Sequence, residues 1–299
     1  MRRTFLVLPM LLLAACRHTS PPDAAQVDSA LAGFVPADAL VLAETQIQGP
    51  DGLQATPVYK KYLAGSPLPQ LDEFARRTGL DPRKDVAVLL FCSNGKQSVL
   101  MARGRFSADG LEQKLTQQGA ARFDYKGRRL FGDEKNAVVF VNQTIAIAGS
   151  TPLLRSILDG NGRTAAPAWL TAQVQTIPAA SQLWAAFGGG ALQLPFPEDS
   201  NLGNLNHLAR AIETGVLYAD LRNGIDLAAN GICTTDAGAK QVHDALKGFI
   251  GLGRLTTPDN RPEMLRLYDS FQVNQNQRAV GVKANIPLEL VDRFFKMIR

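Results

Sequence analysis

The chain has 299 residues, of which 45% are hydrophobic and 20% are charged, and its formal net charge is +5. These proportions are those of a folded globular protein, so they exclude a disordered stalk. The positive balance is too small to predict a nucleic-acid binder.

An apolar run follows Arg2 and Arg3, and it ends in the sequence LAAC, whose last residue is Cys16. Residues 5–15 would form a helix of about 16 Å, whereas the hydrocarbon core of a bilayer is roughly 30 Å thick. The run is therefore too short to cross a membrane. It predicts a signal peptide over residues 1–15 rather than a buried N-terminal helix.

These N-terminal residues resemble the lipobox signal of bacterial lipoproteins. The resemblance implies that the signal peptide is removed, that the Cys16 thiol receives a diacylglycerol and that the new amino terminus is acylated. Arg17 stands where enterobacterial lipoproteins retained at the inner membrane carry aspartate, which favours the outer membrane. The pair Arg2-Arg3 also resembles a twin-arginine export signal, although no polar stretch precedes it.

Residues 16–33 are predicted to be a tether between the lipid and the body. They are largely polar and include Ser20-Pro21-Pro22. Fully extended, such a segment reaches on the order of 50 Å. The body is therefore expected to lie close to the bilayer, facing the periplasm or the exterior.

The body shows one pattern twice. An apolar strand opens each half, at residues 40–43 and 183–187, and a β-hairpin follows. The turns are predicted at Asn94-Gly95 and Asn223-Gly224, because Asn-Gly suits the positive φ angles of a tight hairpin turn.

Both halves continue in the same order after the hairpin. A capped helix begins near Asp109 in the first half and near Asp236 in the second. A strand then leads into another helix at Pro152 and at Pro287, because proline suits the first turn of a helix.

The pattern predicts an α+β fold of two tandem units, over residues 34–165 and 166–299, and the matching order suggests a duplication. Each unit is expected to have a mainly antiparallel sheet with helices packed on one face. The body resembles uncharacterised bacterial envelope proteins with repeated α+β units, and that resemblance implies no activity.

Two short helices are predicted between the first strand and the first hairpin. Val58 and Tyr62 share a face of one helix, and Leu71 and Phe74 share a face of the other. Such stripes predict packing against the core, and an aromatic-lined ligand groove is the alternative.

No catalytic, cofactor or metal site is predicted. The nucleophile motif Gly-x-Ser-x-Gly is absent, and His207 and His243 each lack a second histidine at metal-site spacing. Three glycines at residues 188–190 predict a turn, because no Gly-Lys-Ser/Thr follows them. Cys92 and Cys233 could form one disulfide or lie buried as two small apolar side chains.

Three functions are compatible with these patterns. The leading hypothesis is a non-enzymatic lipoprotein that binds or scaffolds an unidentified envelope partner. The second is an envelope hydrolase with dispersed acidic residues, which would need a cleft with a pair of buried carboxylates. The third is a carrier of an apolar ligand, which would need a sizeable apolar cavity.

Overall fold

The computed structural model describes residues 24–64, 69–78, 80–188, 209–258 and 260–297. Its strands are β1 (Val41–Gln46), β2 (Val86–Ser93), β3 (Ser98–Gly104), β4 (Ala121–Tyr125), β5 (Arg128–Gly132), β6 (Asn136–Phe140), β7 (Ile145–Ser150), β8 (Leu183–Gly188), β9 (Ile212–Asp220), β10 (Gly224–Cys233), β11 (Phe271–Asn276) and β12 (Ala279–Pro287). They form one antiparallel sheet in the order β11-β12-β10-β9-β8-β1-β2-β3-β7-β6-β5-β4. The predicted α+β class and antiparallel pairing are confirmed.

Eight α-helices accompany the sheet in the described ranges. They are α1 (Pro69–Thr78), α2 (Pro82–Asp85), α3 (Ala108–Gln117), α4 (Thr151–Gly160), α5 (Ala168–Val174), α6 (Asp236–Leu255), α7 (Pro262–Asp269) and α8 (Leu288–Met297). A π-helical turn covers Tyr59–Leu63. Within those ranges, no helix combines the length and the apolar run needed to cross a bilayer.

The predicted hairpins form as expected. Gly95 and Gly224 adopt φ angles of +83° and +118°, which suit glycine in the turns of β2–β3 and β9–β10. Thr235 caps α6 by accepting a hydrogen bond from the backbone N–H of Gly238 at 3.0 Å. Pro152 lies in the first turn of α4, where the missing N–H has no cost.

Helices pack against both faces of the sheet, whereas the sequence predicted one face. The face that bears Leu42, Leu90 and Ile147, here called the front face, packs against α4, α5 and residues 24–35. The opposite face, here called the back face, packs against α3, α6 and α8. Alternate residues of the central strands are apolar on both sides, so each side can bury helices.

The sheet is continuous between the two predicted units. β1 and β8 pair antiparallel in the middle of the sheet, with Glu44 opposite Trp184. The hairpin β2–β3 is followed by four strands in the first half, whereas the hairpin β9–β10 is followed by two strands in the second half. A duplication is not shown. The division at residues 165 and 166 stays a prediction.

Part of the predicted tether lies against the body. Ala24 forms an isolated bridge with Pro178, and Ala25 and Leu31 are buried in the front-face core. Of the segment assigned to the tether, only residues 16–23 precede this docked part.

Candidate functional site

An apolar cavity of about 390 Å³ lies between α3 and the back face of the sheet. Leu89, Ala102 and Ala148 belong to its floor, and Leu111 and Leu115 of α3 form its roof. Every lining side chain is apolar. This space is named the back-face cavity below.

Two aromatic rings close one side of the back-face cavity. Phe106, just before α3, and Phe140, at the end of β6, have ring centroids 6.1 Å apart. Leu80 and Pro82 lie beside them in the lining. The chain thus surrounds the space with hydrocarbon from five separate segments.

The local sequence explains why this space is not filled. β7 alternates Ile145, Ala146, Ile147 and Ala148, and alternate residues of a strand point to opposite faces. The isoleucines enter the front-face core, whereas the alanines face α3 together with Ala102 of β3. Alanine reaches less far from the sheet than the larger apolar residues common in strands, so a gap is left below the helix.

The back-face cavity continues into an exposed apolar row that crosses the sheet. Neighbouring strands place the row members directly opposite one another, from Val138 on β6 to Leu217 on β9. The apolar row consists of Val138, Ala148, Leu100, Phe91, Ala43, Ala185 and Leu217. Leu100, Phe91 and Leu217 are 42%, 37% and 39% exposed.

This exposure is unusual for the middle of a twelve-stranded sheet. On the front face at the same level, Leu90, Met101 and Leu42 are fully buried. On the back face, α3 packs over β2, β3 and β7, and α6 and α8 pack over β10 and β12. Leu100, Phe91 and Leu217 stay partly open to solvent between these helices. Exposed apolar patches are common at sites of interaction.

A buried acidic group lies on the front face at the centre of the sheet. Glu44 is 7% exposed, and its Oε2 accepts a hydrogen bond from the backbone N–H of Asp28 at 2.8 Å. The Asp28 carboxylate in turn pairs with Nε of Arg103 at 2.8 Å. Burial raises the pKa of Glu44 to about 7, although the Asp28 N–H opposes that rise.

The Asp28 carboxylate lies near Glu44, and its negative charge adds to the rise in the pKa of Glu44. Glu44 is the one fully buried charged side chain among the residues that the structure describes. Its neighbour Cys92 is buried as well, and burial raises the pKa of that thiol to about 12. A thiol with so high a pKa is protonated at neutral pH and is a poor nucleophile.

The cysteines and histidines singled out from the sequence do not come together. Cys92 and Cys233 are free and buried in different clusters, so the disulfide alternative is wrong. His243 lies on α6 with Nδ1 2.9 Å from Oδ1 of Asp244. In the part of the chain described, no three histidine, cysteine, aspartate or glutamate side chains are placed to hold a metal ion.

The aromatic stripe of the first short helix belongs to the core. Val58 and Tyr62 are buried, and the Tyr62 ring stacks on Phe295 of α8 at 4.5 Å. The packing interpretation is therefore confirmed for this helix. The side chains of Leu71 and Phe74 lie outside the described set.

Several sequence features fall outside the described residues. These are the signal peptide, Cys16, His207 and two of the three glycines, 189 and 190. Lipid attachment at Cys16 therefore stays a prediction.

No protein-family model and no curated protein matches the chain. The fold is similar to crystal structures of TP0453. Crystal form I has 12% identity and a TM-score of 0.47, with 90% of this chain and 96% of that chain covered. Crystal form III has 11% identity and a TM-score of 0.49, with 90% of this chain and 97% of that chain covered. Crystal form IV has 11% identity and a TM-score of 0.45, with 89% of this chain and 95% of that chain covered. Similarity at this level carries no conclusion about function.

Proposed function

We propose that the chain is a lipid-anchored protein of the bacterial cell envelope that binds an apolar ligand in the back-face cavity. The observation that carries this proposal is the wholly apolar lining of a space of about 390 Å³. Ligand pockets commonly have volumes of about 300–1,000 Å³, so the space is large enough for a hydrocarbon group.

The lining also determines the chemistry of the bound part. Each methylene group moved from water into such a site contributes about 0.8 kcal/mol. A polar group there would lack a hydrogen-bond partner, at a cost of about 1–3 kcal/mol. Hydrocarbon is therefore favoured over any polar fragment.

This proposal selects the third of the functions considered from the sequence. A scaffold does not need a cavity, and a hydrolase needs paired acidic groups beside its substrate, whereas the lining of the back-face cavity contains none. Carriage of an apolar ligand needs the cavity, and membrane attachment at Cys16 would place the body beside a source of such ligands. We place the protein at the outer membrane, as Arg17 suggests.

The anchor is tested by the substitution Cys16→Ser in the full chain. We expect the wild-type protein to fractionate with membranes and to carry the added mass of a diacylglycerol and an acyl chain. The variant should lack that mass and lose stable anchoring, because three acyl chains exceed the two-signal requirement for stable membrane binding. An unchanged lipid mass and unchanged fractionation in the variant would refute the anchor.

Ligand binding is tested with a photoreactive palmitic acid that carries a diazirine beside its terminal methyl group. The acid is added to membranes that contain the full chain, and the labelled peptides are identified by mass spectrometry after irradiation. We expect adducts on α3, β3 and β7. Ala102→Leu should lower that labelling roughly tenfold, because it fills the floor of the back-face cavity.

Ala121→Leu is the matched control, because Ala121 is exposed on the edge strand β4. Labelling of the control should equal that of the wild type, and thermal unfolding should show that both variants fold. Adducts scattered over exposed peptides and unaffected by Ala102→Leu would rule out the cavity as the binding site.

A further inference from the structure

The back-face cavity and the apolar row form one continuous hydrocarbon surface. Val138, Ala148 and Leu100 belong to both, because they line the cavity and occupy consecutive places in the row. From Leu100 the row continues across β2, β1 and β8 to Leu217. A ligand that enters the cavity can therefore remain in apolar contact beyond it.

We propose that the ligand is a long acyl chain whose terminal end lies in the back-face cavity and whose remaining length lies along the apolar row towards Leu217. This inference rests on the proposed function and adds the class and orientation of the ligand.

The dimensions fit an extended chain better than a compact molecule. Adjacent strands are about 4.8 Å apart, so the row from Leu100 on β3 to Leu217 on β9 spans about 19 Å. One leaflet of a bilayer, half of the roughly 30 Å hydrocarbon core, is about 15 Å thick. A membrane acyl chain with its methyl end in the cavity at Leu100 therefore covers about three of these four strand spacings and ends beside β8, next to Leu217 on β9.

The distribution of charge agrees with a hydrocarbon ligand. The back-face residues of β1, β2, β3, β7 and β8 include no charged side chain. On the front face of the same strands, Glu44 and Arg103 are charged. The absence of charge on the uncovered side lets a chain lie across five strands without burying an ionised group.

The orientation follows from the two ends of this surface. In the back-face cavity a carboxylate or another head group would find no hydrogen-bond donor. At Leu217 the surface is exposed, so a head group there stays in water. The methyl end is therefore assigned to the cavity and the polar end to the Leu217 side.

A positional labelling experiment on the full chain in membranes tests this arrangement. One palmitic acid analogue carries the diazirine beside the terminal methyl group, and the other carries it beside the carboxylate. The first should label α3 and β7, and the second should label β8 and β9. Leu217→Gln should lower labelling by the second analogue roughly threefold or more, while labelling of α3 by the first stays unchanged.

Ile232→Gln is the matched control, because Ile232 is 36% exposed on β10, close to the 39% of Leu217, but lies outside the row. It should alter neither labelling pattern. If both analogues label only α3 and β7, the extended arrangement is wrong and the proposed function stands. If neither labels the cavity, both proposals fail.

A second copy of the chain could cover the same surface. Sedimentation analysis of the wild type and of Leu217→Gln distinguishes this occupant from a lipid. We expect the same oligomeric state for both. A wild-type dimer that dissociates in Leu217→Gln, together with unchanged labelling by the second analogue, would assign the apolar row to a protein interface and overturn the inference.

Discussion

Glu44→Gln is expected to stabilise the protein by about 3 kcal/mol at pH 8 and to leave its stability nearly unchanged at pH 4. Glu44 is buried, and burial raises its pKa from 4.5 to about 7. The free energy needed to ionise Glu44 is therefore about 3 kcal/mol higher in the folded protein than in the unfolded chain. Glutamine is never ionised, and its side-chain oxygen can still accept the N–H of Asp28.

The direction of this pH dependence of stability follows from proton binding. Between pH 4.5 and about 7 the folded state keeps a proton on Glu44 that the unfolded state has released. The stability that this proton contributes is fully present below pH 4.5 and is lost as the pH rises through about 7. Urea unfolding of both proteins at several pH values measures the effect.

Glu213→Gln is the matched control for Glu44→Gln. The Glu213 side chain is 51% exposed on β9 and faces Arg278 at 3.6 Å. An exposed pair of this kind contributes about 1 kcal/mol or less. If the free energies of unfolding of Glu44→Gln and the wild type differ by the same amount at pH 4 and at pH 8, burial does not raise the pKa of Glu44.

Local features of the fold could be predicted from the sequence, because short-range chemistry determines them. Asn94-Gly95 specifies a tight turn whatever the rest of the chain does, and Thr235 specifies the start of α6. The end of α6 was less predictable. The helix continues past Gly248, although glycine often ends a helix, and it reaches Leu255.

Gly253 shows why the end of α6 depends on tertiary packing. A Cβ at that position would meet the ring of Tyr268 at 2.5 Å, so glycine lets α7 pack closely on α6. That contact is made between helices and leaves no local signal in the sequence of α6. The pairing of β1 with β8 is likewise non-local, since two short apolar strands can pair with many others.

The candidate site could be anticipated only in part. The pattern Ile145-Ala146-Ile147-Ala148 predicts a strand with large residues on one side and small ones on the other. It does not say that α3 lies opposite the small residues, which is what turns them into the floor of a cavity. Alanines that alternate with large apolar residues in a central strand are the signal that could have indicated it.

Ile147 and Ala148 are adjacent in β7 and should respond oppositely to a change in size. Ile147 is fully buried in the front-face core, so Ile147→Ala is expected to lower the free energy of unfolding by about 2–5 kcal/mol. Ala148 lines the back-face cavity, so Ala148→Val fills empty space and should raise the free energy of unfolding by about 0.5–2 kcal/mol. Denaturant unfolding of each variant beside the wild type measures both.

Ala148→Val distinguishes an effect on the stability of the fold from an effect on ligand binding. Ala148→Val should weaken labelling of α3 by the methyl-end palmitic acid analogue while it stabilises the fold, because the added methyl groups occupy the space that the acyl chain needs. A packed region without a binding role would behave otherwise, since overpacking there costs about 1–3 kcal/mol. Destabilisation by Ala148→Val of that size would mean that α3 already fills the back-face cavity. Stabilisation with loss of labelling would mean that β7 keeps its alanines for the ligand, at the expense of a more stable sheet.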